Sequence, residues 1–165
     1  PQHTESEHDG TKGFGLLAMT TTFNAEKLTS QVEADCHELM FLGQKINASR
    51  LHGYEIHMGQ TEFLDTSDAH PLQITKRANQ ACQKTEGCVR ADGRVFGTYI
   101  HGIFDHDEFR RSVLNALRLA KGLPALKNTR NVYAEKQHSY DALADVVRRS
   151  LDMDKLHAIM GGDRA

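Results

Sequence analysis

The spacing of apolar residues changes once along this chain, near Phe104. Before Phe104, short apolar and β-branched runs alternate with polar positions, which is typical of strands. After it, apolar residues recur every three to four positions, which is typical of amphipathic helices. The sequence therefore predicts an α/β fold in which a mixed, partly antiparallel sheet is followed by C-terminal helices.

The predicted strands lie in the first hundred residues. They are residues 13–17, 20–23, 30–34, 51–58 and 71–75. The dipeptide Asp92-Gly93 predicts a two-residue hairpin turn between residues 89–91 and 94–96, because Asp-Gly readily adopts positive φ angles. Residues 76–88 are polar and irregular, which indicates a loop.

Three helices are predicted after Phe104. Asp105 is the expected N-cap of the first helix, which stops at Gly122. Its apolar stripe consists of Phe109, Val113, Leu117 and Ala120. The second helix begins near Tyr133, and the third begins at Asp152 or Asp154. The residues that the second helix is expected to bury are Tyr140, Leu143, Ala144, Val147 and Leu151.

Length and composition favour one soluble domain. The chain has 165 residues and a net charge of −2, so no basic excess suggests nucleic acid or an anionic membrane as a partner. No apolar run approaches the roughly 20 residues of a membrane span. Three cysteines without a CxxC pair fit the reducing cytoplasm. Residues 1–12 are polar and are expected to be a flexible lead-in to residues 13–165; the oligomeric state is left open.

Two histidines occur in similar surroundings, each at the end of a β-run that meets a glycine. Residues 53–59 read Gly-Tyr-Glu-Ile-His-Met-Gly, and residues 97–104 read Gly-Thr-Tyr-Ile-His-Gly-Ile-Phe. A glycine lets the backbone leave the sheet sharply, which places the imidazole at the sheet edge. His101 is therefore the candidate general base. The alternative is a structural histidine that bonds to a backbone carbonyl.

The residues near these histidines are candidates for substrate binding or support of the site. Glu55 and His57 alternate along a strand, so both point to the face opposite Tyr54. They could orient a substrate, or they could belong to an exposed polar face. Tyr54 and Tyr99, which stand in the two histidine motifs, complete this set of candidates.

No nucleophile accompanies His101 in the sequence. A nucleophile elbow needs small residues on both sides of the reactive group. Cys88 has Gly87 before it but Val89 after it, and Cys36 and Cys82 lack such neighbours. The three cysteines are therefore interpreted as packing or surface thiols. Motifs for a serine nucleophile, a phosphate-binding loop and a dinucleotide turn are absent as well.

The ten histidines suggest a metal site as a weaker alternative. His52 with His57 could supply nitrogen ligands, and Asp105, His106 and Asp107 could supply nitrogen and oxygen ligands. No HExxH motif or closed Cys/His set is present. We therefore predict no metal in this chain.

Seven short motifs, taken in order, resemble the C-terminal part of the cobyric acid synthase family of glutamine-dependent amidotransferases. The motifs lie at residues 13–17, 20–23, 53–59, 96–105, 110–115 together with 121–123, 140–144 and 152–156. Each is weak alone, and their order and spacing carry the resemblance. It covers residues 13–160, which is nearly the whole chain.

The resemblance implies a fold, a reaction and partners. The family joins a flavodoxin-like, triad-type glutaminase domain to a synthetase domain that uses ATP and Mg. Glutamine supplies ammonia, and the synthetase amidates carboxylates of the corrinoid adenosylcobyrinic acid a,c-diamide in the cytoplasm. A cysteine on an elbow attacks glutamine, and the histidine of the GTYxHG motif, here His101, activates that cysteine.

The same resemblance implies that this chain holds only part of the enzyme. The family's elbow and synthetase domain precede the matched region, so this part is expected to have no cofactor and no activity alone. Triad enzymes carry an acid two residues after the histidine, where this chain has Ile103. Either no acid is needed, or Glu55 or Asp105 orients His101.

Three other functions stay open at this stage. The first is a cobyrinic acid a,c-diamide synthase, which amidates different corrin carboxylates. The second is a non-catalytic, glutaminase-like binding module. The third is a small metal-dependent hydrolase built on His101, Asp105, His106 and Asp107.

Overall fold

The computed structural model describes residues 7–127 and 130–161. The chain divides into two compact units, Pro1–Thr129 and Arg130–Ala165. The first unit holds every described strand and the first helix, and the second holds the two remaining helices. The five candidate site residues all belong to the first unit. Residues 1–6 of the expected lead-in lie outside the described residues, and residues 7–12 are exposed without helix or strand.

Five strands of the first unit form one sheet. The unit has seven described strands in all, namely β1 (Met19–Phe41), β2 (Gln44–Phe63), β3 (Leu72–Arg77), β4 (Gln80–Glu86), β5 (Cys88–Val89), β6 (Phe96–Gly97) and β7 (Ile100–His101). The sheet order is β4-β3-β1-β2-β7, and β5 pairs with β6 separately. All these pairs are antiparallel. The predicted class, strands followed by C-terminal helices, is confirmed.

Tight turns explain why neighbouring strands run in opposite directions. Leu42 and Gly43 both have positive φ angles, of 50° and 76°, and they join β1 to β2. Ala78 and Asn79, with φ angles of 48° and 62°, join β3 to β4 in the same way. Two-residue turns of this kind match the right-handed twist of the strands that they connect. A parallel neighbour would need a much longer crossover.

The core lies on one face of the large sheet and is closed by a helix. Alternate residues of β1 point into it until a bulge at Glu38, whose φ angle is 54°. Phe109 and Ala116 on the first helix are both buried in the same cluster. The rest of the cluster consists of Val32, Ala34, Cys36, Leu39, Ile46, Leu51, Leu72, Ile74, Val89, Ile100 and Ile103.

Two strand predictions are wrong. Residues 13–17 form no strand: Gly15 bends the backbone at a φ of 67°, and Phe14 is 98% exposed. Residues 76–88 are not a loop, because they contain the end of β3 and the whole of β4. Since β4 is an edge strand, most of its side chains face solvent and show no apolar alternation. Its hydrogen bonds to β3 hold it in the sheet.

The hairpin around Asp92-Gly93 is confirmed, but its turn is longer than predicted. β5 and β6 pair through Val89 and Phe96. The Arg90 N–H donates to the Val95 carbonyl at 3.0 Å, so the turn spans residues 91–94. Gly93 has a φ of 65°, whereas Asp92 accepts the Arg94 N–H at 2.9 Å. One residue in the left-handed region, Gly93, is therefore enough to form this turn.

The first helix, α1 (Asp107–Ala120), begins one residue later than predicted. Asp105 belongs to the 3-10 turn Ile103–Asp105, and His106 is the N-cap. His106 Nδ1 accepts the Phe109 N–H at 3.4 Å, which is the role expected of Asp105. The helix ends at Ala120, and Gly122, whose φ is 71°, follows the C-cap at the place where the sequence predicts the stop.

The second unit consists of α2 (Val132–Ser150) and α3 (Met153–Ile159). Asn131 caps α2, and Asp152 caps α3, which settles the start of the third helix. The apolar stripe predicted to be buried on α2 is not buried, since no described residue of α2 or α3 is. Within this unit, α3 has only 7 residues and is too short to cover the stripe of the 19-residue α2. No helix of the described residues is long and apolar enough to cross a membrane.

Candidate active site

His101 lies where the sequence motif places it, at the edge of the large sheet. β7 is the last strand of that sheet, and its partner is β2. His101 pairs with Tyr54, and Ile100 pairs with Glu55. Gly102 follows with a φ of 80°, so the chain turns sharply after the histidine. The imidazole is exposed, and it makes no hydrogen bond to another described residue.

Tyr54 and His101 stack face to face across this strand pair. Their ring centroids are 5.1 Å apart, and the ring planes are 7° from parallel. Tyr54 is 46% exposed, so both rings lie on an accessible face of the sheet. The β2–β7 pairing thus joins two motifs that are more than forty residues apart in the sequence. The stack restricts how the imidazole can turn.

Gly53 explains why β7 can approach β2 so closely. A Cβ atom at this position would lie 2.4 Å from the His101 carbonyl oxygen and 2.5 Å from Ile100 Cγ2. Real Cβ atoms do not come that close to other atoms, so any larger residue would push β7 away. Gly53 therefore has a packing role: it lets β2 lie close to the backbone of His101, the candidate base.

Glu55 lies on the other face of β2 and does not face His101. Its side chain is 1% exposed. Arg77 donates to Glu55 Oε2 from Nε at 2.9 Å and from Nη2 at 2.6 Å. The other oxygen, Oε1, lies 3.6 Å from His57 Nε2. Since neighbouring residues of a strand point to opposite faces, Glu55 and the Tyr54–His101 stack are separated by the sheet.

His57 supports this inner face rather than the outer one. Its Nδ1 lies 2.8 Å from the Gly59 carbonyl oxygen, and since a carbonyl only accepts, Nδ1 carries the hydrogen. Its Nε2 is buried and has no hydrogen-bond partner among the described residues. The ring stacks on Tyr99 at 4.5 Å, and the Tyr99 hydroxyl bonds to Thr61 Oγ1 at 2.6 Å. Tyr99 and His57 therefore belong to one packed polar layer.

A cavity of about 520 Å³ lies beside His57. One wall is formed by residues 24–28, where β1 bulges away from β2 between Phe23 and Leu28. The other wall is formed by residues 57–60 of β2, and Lys84 contributes a positive charge. His101 is not among the residues that line it. The cavity and the exposed His101–Tyr54 face are thus distinct features.

The structure adds Glu86, which sequence reasoning missed. Its side chain is buried, and it accepts the Tyr99 N–H at 2.6 Å and the Thr98 hydroxyl at 2.7 Å. Burial raises the pKa of the Glu86 carboxyl above its ordinary value, and the charge of Glu55 acts in the same direction. Hydrogen bonds from Tyr99, Thr98 and Gly87 oppose that shift.

Arg77 and Glu86 were missed for the same reason. Both fall in residues 76–88, which the sequence pattern assigns to a loop. A charged residue in a loop is expected in solvent, whereas the β3–β4 pairing carries these two into the polar layer. The signal available was an isolated acid directly before a glycine, Glu86-Gly87, and it is a weak one.

Two of the three cysteines, Cys36 and Cys88, are buried and are poor nucleophiles in this structure. Burial raises the pKa of the Cys36 thiol to about 11. Burial also raises the pKa of the Cys88 thiol to about 11, and the charge of Asp68 adds to this effect. Cys82 Sγ lies 3.8 Å from the Ile74 carbonyl oxygen. Because the thiolate is the reactive form, Cys36 and Cys88 are kept inert at neutral pH.

The residues considered as metal ligands are not gathered into one site. His52 lies 4.0 Å from Glu33 on the neighbouring strand. His106 caps α1, and His57 is packed against Tyr99. Within residues 7–127 and 130–161, no group of three or more His, Cys, Asp or Glu side chains is arranged to hold a metal ion.

Comparison with known proteins finds relatives that match nearly the whole length of this chain. The chain is 42% identical over 160 residues to a cobyric acid synthase of Dehalococcoides mccartyi. It is 43% identical over 162 residues to one of Streptococcus sanguinis, and 39% identical over 165 residues to one of Moorella thermoacetica. These alignments cover 97%, 97% and 99% of this chain but 31%, 30% and 31% of the relatives. The chain thus spans about a third of the length of the curated relatives that it matches.

The match at the level of domains covers a shorter part of the chain. No solved structure matches the chain. Residues 1–109 match the CobB/CobQ-like glutamine amidotransferase domain, and this segment contains His101 and the residues that stack on it and hold it. The chain therefore belongs to the CobB/CobQ-like glutamine amidotransferase family.

Proposed function

We propose that this chain supplies the general base, His101, to the glutaminase site of a cobyric acid synthase. One observation carries the proposal: the imidazole is exposed at a sheet edge, directly before a glycine turn, with its ring held against Tyr54. A buried structural histidine would have its ring nitrogens bonded to the protein, as His57 does through Nδ1. His101 instead offers its ring to a group that approaches from outside the sheet.

The proposed reaction needs a thiol beside His101. The imidazole takes the thiol proton, and the thiolate attacks the side-chain amide carbon of glutamine. The tetrahedral intermediate collapses to a γ-glutamyl thioester when His101 returns the proton to the leaving nitrogen, which departs as ammonia. Water then attacks the thioester, again with His101 as the base, and glutamate is released.

The thiol is proposed to come from a segment outside these residues. Cys36 and Cys88 are buried with raised pKa values, and none of the three cysteines stands in a turn with small neighbours on both sides. The relatives are about three times as long as this chain, which leaves room for an elbow and for further domains. We propose that one of those domains binds ATP and Mg, and that this chain alone binds no cofactor.

The orienting acid is proposed to be Asp105 or no acid at all. Glu55 lies on the opposite face of β2 and is bonded to Arg77, so its role is to support the strand rather than to contact His101. Asp105 belongs to the turn directly after the histidine. Its Oδ2 lies 4.0 Å from the position that a Cβ on Gly102 would take.

The complete enzyme is proposed to pass the ammonia to a corrinoid. The relatives are named cobyric acid synthase, and that name supports adenosylcobyrinic acid a,c-diamide as the substrate. Its peripheral carboxylates would be activated with ATP and amidated in turn, in the cytoplasm. Nucleic acid and membrane are not expected partners; glutamine, the corrinoid and the synthetase domain are.

Substrate consumption by the complete enzyme tests this proposal. The enzyme is given glutamine, ATP and Mg with either adenosylcobyrinic acid a,c-diamide or the unamidated cobyrinic acid. Amidation of the diamide supports the proposal, and amidation of only the unamidated acid indicates a cobyrinic acid a,c-diamide synthase. Failure to release ammonia from glutamine with either substrate would instead favour a non-catalytic binding module.

A further inference from the structure

We propose that Glu86 is a positioning residue for His101: its buried carboxylate fixes the backbone of residues 98–100 and thereby the place of the imidazole. This inference rests on the proposed function of His101 as the glutaminase base. Glu86 does not contact the imidazole and is not a catalytic residue. It acts through the short segment that connects β6 to β7.

The first support is a set of hydrogen bonds that ends on both carboxylate oxygens. Glu86 Oε1 accepts the Tyr99 N–H at 2.6 Å, and Oε2 accepts the Thr98 hydroxyl at 2.7 Å. The oxygen of that hydroxyl in turn accepts the Ile100 N–H at 3.0 Å. One side chain thus holds, directly or through Thr98, the two backbone N–H groups that come before His101.

The second support is that this segment lacks strand pairing of its own. β6 ends at Gly97 and β7 begins at Ile100, so residues 98 and 99 have no ladder partner. A buried backbone N–H without a partner is costly. Glu86 takes the place of the missing strand, at the point where the chain passes from the small sheet to the large one.

The third support is the burial of the acid. Glu86 is 5% exposed, and Glu55 adds a second buried carboxylate to the same polar layer. Burial of a carboxylate costs free energy of folding, whereas a neutral leucine or glutamine could fill a core position without that cost. The two carboxylate oxygens of Glu86 accept hydrogen bonds, and they match the two donors of the Thr98–Tyr99 segment.

Loss of Glu86 is expected to change the position of the His101 imidazole more than the stability of the fold. His101 lies two residues after Tyr99, and its other constraints are the stack on Tyr54 and the close approach at Gly53. Without Glu86, the segment could shift while the β2–β7 pair remains. Displacement of a catalytic group by about 1 Å can reduce turnover about 100-fold.

The test compares two activities of the complete enzyme. Glutamine-driven amidation needs His101, whereas amidation driven by added ammonium chloride bypasses it. The variants are Glu86→Gln, Glu86→Ala and Thr98→Val, with His101→Asn as the reference for loss of the base. Glu62→Gln is the matched control, because Glu62 is an exposed acid on β2 of the same sheet.

Glu86→Ala is expected to lower the glutamine-driven kcat about 10- to 100-fold while the ammonia-driven rate is kept within about twofold. Glu86→Gln and Thr98→Val are expected to lie between Glu86→Ala and wild type. Glutamine keeps the acceptor for the Tyr99 N–H but presents a donor to Thr98. Valine removes the Thr98 hydroxyl with its bonds to Glu86 and to the Ile100 N–H, and it keeps the bond from the Tyr99 N–H to Glu86. Glu62→Gln is expected to keep both rates.

Three outcomes separate this inference from the proposed function. If His101→Asn abolishes glutamine-driven amidation but all three variants at positions 86 and 98 keep it, the positioning role is refuted and the role of His101 stands. If those variants lose both activities in equal proportion, Glu86 serves folding only, and the positioning role is again refuted. If His101→Asn itself keeps glutamine-driven turnover, the proposed function fails first.

Discussion

Tyr54 and His101 face each other across the β2–β7 pair with their rings 5.1 Å apart and nearly parallel. Tyr54→Ala is expected to lower ammonia release from glutamine about threefold to tenfold, because an aromatic pair is worth about 0.5–1.5 kcal/mol and the imidazole would lose a positioning surface. Tyr54→Phe keeps the ring and is expected to keep most of the activity. Steady-state ammonia release by the complete enzyme measures both variants. Equal losses in both would show that the hydroxyl, and not the ring stack, matters.

Gly53→Ala is expected to displace β7, because the new Cβ would lie 2.4 Å from the His101 carbonyl oxygen. Overpacking of this kind costs about 1–3 kcal/mol, and here it also moves the candidate base. The melting temperature and ammonia release of the complete enzyme are both expected to fall. Gly13→Ala is the matched control, because a Cβ at Gly13 would meet nothing within 4 Å. Normal ammonia release by Gly53→Ala would contradict the close approach described above.

The raised pKa of Glu86 predicts a pH dependence of stability. Folding favours the protonated acid, so the contribution of Glu86 to stability is complete below its ordinary pKa of 4.5 and is lost as the pH rises through the raised pKa. Glu86→Gln cannot ionise. The free energy of unfolding of Glu86→Gln, relative to wild type, is therefore expected to increase as the pH rises from 4.5 through the raised pKa. Urea unfolding across that range measures the difference, and a constant difference would argue against the shift.

The buried thiols are expected to be dispensable for catalysis. With pKa values of about 11, only about one Cys36 or Cys88 thiol in 10⁴ is ionised at pH 7. Cys36→Ala and Cys88→Ala are expected to keep glutaminase activity, apart from losses of stability caused by small cavities. Iodoacetamide is expected to inactivate the complete enzyme without alkylating either residue, as read by mass spectrometry of the peptides. Loss of glutaminase activity in Cys88→Ala with the melting temperature kept, together with alkylation of Cys88 in the wild type, would identify it as the nucleophile and overturn this expectation.

Local signals predicted the outer part of the site. A histidine between a β-run and a glycine can be recognised from a few residues of sequence, and His101 and Tyr54 were identified in this way. That the two motifs are neighbours follows from strand pairing, which the motifs themselves do not encode. Glu55 was correctly placed on the face opposite Tyr54, because alternation along a strand is a local property.

The inner polar layer could not be predicted, because it depends on which strands lie side by side. Arg77 reaches Glu55 across the sheet, and Glu86 holds a segment that follows it by twelve residues. β4 shows no apolar alternation, so nothing in its own residues marks it as a strand. The cap of α1 was missed by one residue, since Asp105 and His106 can each accept a hydrogen bond from a helix N-terminus.

The most direct measurement is ammonia release from glutamine by the complete enzyme, wild type against His101→Asn, with amidation driven by added ammonium chloride as the control. Asparagine is polar and of similar size but cannot accept and return the thiol proton. If His101 is the general base, His101→Asn lowers glutamine-dependent release about 100-fold or more, in line with the contribution of such a base, while the ammonia-driven rate is kept. Unchanged glutamine-dependent release would mean that His101 is a structural residue, and it would contradict the account.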